Sequence, residues 1–135
     1  MTAAAWLFGV GGAILVGIGA FFMLARPALL PEDLRYLDRS AVEVATALPR
    51  LGRWLRCVFT VLGGYAAATG ILTLYLAVTS VRHGNLVTVA VLAIAGASSI
   101  GVMAVVNLLL HSAFRWPLSA LAAVWVAATL VAVAS

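Results

Sequence analysis

Three polar residues, Asn107, His111 and Arg115, stand four positions apart at the end of a long apolar run. On a continuous helix that spacing lines up an amide, an imidazole and a guanidinium. Set against Glu32, Asp33 or Tyr36, the line would form a small cytoplasmic polar cluster around a histidine that titrates near neutral pH. The same residues also suit a helix C-terminus, where His and Arg satisfy free carbonyls and the negative end of the dipole. Arg115 precedes Trp116-Pro117, where the chain should turn, so its register on that helix is open. A second group, Arg50, Arg53 and Arg56, recurs every third residue around Trp54. Successive members step back about 60° on a helix of 3.6 residues per turn, which makes a tilted stripe. It fits contacts to lipid headgroups or to a partner, and equally fits snorkelling arginines beside an interfacial tryptophan.

Other chemistries find no support. A coupled carrier keeps an ionisable group inside its bundle, as the small multidrug carriers keep a glutamate, and the apolar runs contain none. A bis-histidine haem needs two ligands at one depth, whereas His83 and His111 fall at opposite ends of one run. Neither a zinc-protease spacing, nor a nucleophile elbow, nor a phosphate-binding glycine loop is present. Cys57, the single cysteine, has no internal partner for a disulfide or a dithiol site. No catalytic, cofactor-binding or metal-binding residue is therefore assigned. A nucleic-acid partner is not expected, because the net charge of +4 collects where membrane topology already requires it.

These residues must be positioned by an unusually apolar chain. Ninety-six of 135 residues lie in four uncharged segments, 2–25, 57–81, 84–110 and 116–135. Only 9% of the residues are charged, against about a quarter in soluble domains. About 20 apolar residues in a helix span a bilayer, so each segment is long enough to cross one. Unpaired backbone groups are costly in lipid, and these segments lack the alternation of barrel strands, so the spans must be helices. The fold class expected is all-α: a single integral membrane domain of four transmembrane helices in a bundle. The first apolar run exceeds the apolar core of a cleavable signal and follows no basic residue, so it counts as a span.

The segment 26–56 carries all four acids and six of the eight arginines. With four spans, seven arginines share one side and Arg82 alone lies on the other. The positive-inside rule then makes 26–56 cytoplasmic and both termini non-cytoplasmic. Within 26–56, Pro31 followed by Glu32 and Asp33 predicts one short helix. Ser40 to Glu43 has capping-box spacing for a second, which Pro49 ends. Leu34, Leu37, Val42 and Leu48 then lie against the bilayer surface or the ends of the spans.

Small residues mark the expected helix contacts. Gly9, Ala13 and Gly17 recur every fourth position in the first span, and Ala93, Ala97 and Gly101 do so in the third. Gly63, Gly64, Ala66, Ala67, Ala68 and Gly70 add a face on the second. Tyr65, Thr69, Thr73, Ser98 and Ser99 supply hydroxyls that bond either across helices or back to their own carbonyls.

The runs Arg26-Pro27-Ala28-Leu29-Leu30-Pro31-Glu32-Asp33-Leu34-Arg35-Tyr36-Leu37 and Arg53-Trp54-Leu55-Arg56-Cys57-Val58-Phe59-Thr60-Val61-Leu62-Gly63-Gly64-Tyr65 resemble uncharacterised small four-span bacterial membrane proteins. The resemblance brings no activity with it; a likeness to DoxX-like four-helix proteins extends to size alone. The expectation is a non-enzymatic membrane protein, self-associating or an accessory subunit of an inner-membrane complex, with lipids as its other partners. A module that binds or transports a lipid or small hydrophobic molecule is the alternative.

Overall fold

The computed structural model describes residues 2–134, and all of their regular structure is helical. The helices are α1 (Ala3–Leu24), α2 (Pro31–Leu37), α3 (Ala41–Ala47), α4 (Leu51–Thr79), α5 (Leu86–Gly96), α6 (Val102–Leu109) and α7 (Arg115–Ala134). A 3₁₀ turn, Val81–His83, extends α4, and a π-helical turn, Ala97–Gly101, joins α5 and α6 into one rod. Four helical stretches, Ala3–Leu24, Leu51–His83, Leu86–Leu109 and Arg115–Ala134, are long and apolar enough to cross a membrane. Ser135, the last residue of the fourth expected span, lies outside the described residues.

The short helices form where their start signals fall. Ser40 Oγ accepts the amide of Glu43 at 3.2 Å, and Glu43 Oε2 accepts that of Ser40 at 2.7 Å, so two free donors at the start of α3 are satisfied reciprocally. At α2, Asp33 Oδ2 accepts the Leu30 amide at 2.8 Å. The helix ends at Asp38, whose φ of 52° is a left-handed cap. Two boundaries differ from expectation. The second long helix starts at Leu51 instead of Cys57, because nothing after Pro49 breaks it and Arg, Trp and Leu extend it. The third ends at Leu109, two residues before His111, whose φ of 50° takes the backbone into the left-handed region.

The closest helix pair is α1 with α4, antiparallel and held by glycines seven residues apart on each partner. A Cβ on Gly12 would lie 2.9 Å from the Gly70 carbonyl oxygen, and one on Gly19 would lie 2.6 Å from that of Gly63. The reverse tests at Gly70 and Gly63 meet the Gly12 and Gly19 oxygens, each at 2.6 Å. Glycine is needed there because backbone packs on backbone, the arrangement that favours association where lipid tails remove the hydrophobic driving force. Gly9, Gly17 and Gly64 meet nothing within 4 Å, and Ala13 is exposed. The four-residue spacing in α1 therefore marks a face that no other helix of this chain covers, and the intrachain crossing uses Gly12 and Gly19 instead.

The second packing centre is Trp125 of α7. Its indole N–H donates to the Leu92 carbonyl at 2.8 Å, its ring meets Phe8 edge-on at 5.8 Å, and Gly96 leaves the space that the indole occupies. Gly11 lies beneath the same ring, where a Cβ would come within 3.2 Å of Cε3. One side chain thus ties α1, α5 and α7 together. Five hydroxyls on the long helices bond to their own helix, Thr69 to Tyr65, Thr73 to Thr69, Ser98 to Ile94, Ser99 to Ala95 and Thr129 to Trp125, whereas Ser119 Oγ is buried without a hydrogen-bond partner among the described residues.

Candidate functional site

The polar residues gather where α1 ends, α2 begins and α6 turns into α7. Arg26 follows the last residues of α1, and its guanidinium carbon sits 3.4 Å from the centroid of Phe59 and 5.5 Å from that of Phe22. Its Nη2 is 3.6 Å from Asp33 Oδ2, and its Nη1 donates to the Pro27 carbonyl at 2.8 Å. Burial lowers the tendency of this arginine to hold its proton, and the neighbouring Asp33 and Glu32 oppose that effect. An arginine with its side chain 8% exposed is affordable here because aromatic faces and a carboxylate surround the cation.

Glu32, on the first turn of α2, reaches across the molecule. Its Oε1 accepts from Ser112 Oγ at 2.8 Å, and it also takes the backbone amides of Glu32 and Ala113. Ser112 Oγ in turn accepts the Phe114 amide at 3.1 Å. Glu32 is 7% exposed. Burial alone would raise its carboxyl pKa. The amide and hydroxyl donors, helped by Arg35, outweigh burial and hold it below the ordinary 4.5. The result is a staple between the first connection and the α6–α7 turn, reinforced by Phe21 against Phe114 at 6.3 Å.

This geometry corrects the expected line of Asn107, His111 and Arg115. The helix has ended before His111, so the three residues do not share a face. Asn107 Nδ2 donates to the Met103 carbonyl at 2.9 Å, and Arg115 Nη1 donates to the His111 carbonyl at 3.0 Å. His111 is exposed, its Nδ1 3.2 Å from the Leu109 carbonyl oxygen. Asp33 faces Arg26, and Tyr36 is 74% exposed. The side chains thus serve the ends of helices, and it is Ser112, between them, that meets an acid of the first connection.

Arg50, Arg53, Trp54 and Arg56 stand at the start of α4, all exposed. Ala47, Leu48, Pro49, Arg50, Leu51 and Trp54 line an open, mainly apolar concavity of about 430 Å³. A second concavity, of about 180 Å³, is lateral and lies between the α5–α6 rod and α7; Ala93, Gly96, Ala97 and Gly101 face Ala122, Trp125, Val126, Thr129 and Leu130 across it. Among the described residues, no three of His, Cys, Asp and Glu come together in a way that would hold a metal ion. No protein-family model matches the chain, and neither does any curated protein or solved structure.

Proposed function

We propose that this is a non-enzymatic four-helix membrane bundle of a bacterial inner membrane that works by associating with another copy of itself or with a larger complex. In this reading 26–56 is cytoplasmic, α2 and α3 lie at the membrane surface, and both termini face away from the cytoplasm. The observation that carries it is the lateral cleft of about 180 Å³ beside α7, floored by small residues. Unfilled volume at a helix surface forfeits dispersion contacts, and a helix with small residues at its interface fills such a cleft closely. Only about a quarter of each long helix is buried within the chain, which leaves ample surface for a partner.

Ala97 is exposed and lines the cleft, so Ala97→Leu fills it without entering the chain's own core. Native mass spectrometry of gently extracted protein should show oligomers, or foreign subunits, that this variant loses while its monomer stays as thermally stable as wild type. A wild-type protein that is monomeric and free of other subunits would refute the proposal.

A further inference from the structure

We infer that the elbow between α3 and α4 is a binding site for an anionic phospholipid of the membrane in which the helices sit. The apolar half of the site is the concavity of about 430 Å³ formed by Ala47, Leu48, Pro49, Leu51 and Trp54, with Leu48 and Trp54 57% and 61% exposed. The charged half is Arg50 on its rim, followed by Arg53 and Arg56. Arg26 with Asp33 is the one ion pair among the described residues, so none of these three arginines has a carboxylate to neutralise it. An apolar hollow bordered by uncompensated guanidinium groups is complementary to a molecule with an acyl region and a phosphate.

Placement supports the same occupant. The paired glycines of α1 and α4 set Leu24 level with Val58, so the seven residues Leu51–Cys57 project past the end of α1 by about 10 Å. Their helical stretch, Leu51–His83, has 33 residues, about 50 Å of helix against a hydrocarbon layer of about 30 Å. Arg53 and Arg56 therefore ride on an overhang at the depth of headgroups, with Arg50 as the cap at its tip. On that overhang Arg50 and Trp54 are four residues apart and share a face, with Arg53 about 60° round from Arg50. A soluble phosphate would use the arginines and leave the hollow unfilled.

The test uses the full-length protein in mild detergent, offered dioleoylphosphatidylglycerol or dioleoylphosphatidylcholine, with retained lipid counted by native mass spectrometry. Wild type should keep the anionic lipid in preference to the zwitterionic one. Arg50→Gln with Arg53→Gln should lower that retention roughly thirtyfold, the scale expected for two arginines at an anionic surface. Arg39→Gln, the same kind of charge change in the exposed turn between α2 and α3, should leave it unchanged. Trp54→Ala keeps every charge and should also lose the lipid, so it carries the test if the double variant does not fold. Equal retention of the two lipids by wild type, or equal losses in the Arg39 and Arg50/Arg53 variants, would overturn the inference. So would full retention by Trp54→Ala. The same spectra report oligomers separately, so failure here is distinguishable from failure of the association proposal.

Discussion

Glu32 is a buried carboxylate held by a serine hydroxyl and two backbone amides, and its protonation state bears on how the first connection docks. Because its folded pKa lies below the ordinary value, it binds its proton more readily in the unfolded chain. Its contribution to stability is thus complete above about pH 4.5 and declines as pH falls through the lower folded value. Glu32→Gln should lower the melting temperature at pH 7 and weaken its fall between about pH 5 and 3. Glu43, also held low by its capping bonds, contributes to acid sensitivity in both proteins, so the difference between the two melting curves is the measurement. An unchanged difference across that range would show that the staple does not stabilise the fold. The sequence singles out Glu32 as a helix-start acid, but its partner is 80 residues away and Ser112 sits in no periodic pattern. Trp125 was hidden for a similar reason: an apolar helix offers many large side chains, and only the space above Gly96 decides which one enters.

At the level of elements, the spans and both short helices are legible from uncharged length, proline and cap spacing, since those effects are local. The π-helical turn at Ala97–Gly101 is not, because five small or β-branched residues within an apolar run carry no local mark of an altered hydrogen-bond pattern. Nor does spacing alone say which glycines meet a neighbour. Gly9, Gly17, Gly12 and Gly19 all sit at helix-compatible intervals, but only the last two lie on the face turned to α4. The consequence is measurable. Gly19→Leu should destabilise the folded chain by about 1–3 kcal/mol or more, the usual cost of overpacking, whereas Gly17→Leu should be close to neutral in the monomer. Matched thermal unfolding in one detergent gives the comparison, and equal stability of the two variants would contradict the crossing described for α1 and α4.

For the whole molecule, the seven-to-one division of arginines across the two sides gives the orientation proposed above. Single cysteines at Ser40 and His83 in a Cys57→Ser background should report opposite sides of the membrane. His83 is preferable to its neighbour Gly84, whose φ of 74° strains any side chain. An impermeant thiol reagent added outside intact cells is expected to label His83→Cys and spare Ser40→Cys; the reverse pattern would invert the topology.

The glycine seats of α1 and α4 work together like a key with two teeth. Equal spacing on both helices lets Gly12 meet Gly70 while Gly19 meets Gly63, and sliding one helix by a full seven residues leaves only one glycine facing another. The other seat would then receive a side chain where only backbone fits. A chain with so little polarity inside the bilayer has few directional bonds with which to choose its alignment. Two missing side chains on each helix make that choice by shape, and in doing so set how far the arginine-bearing end of α4 stands clear of its neighbour.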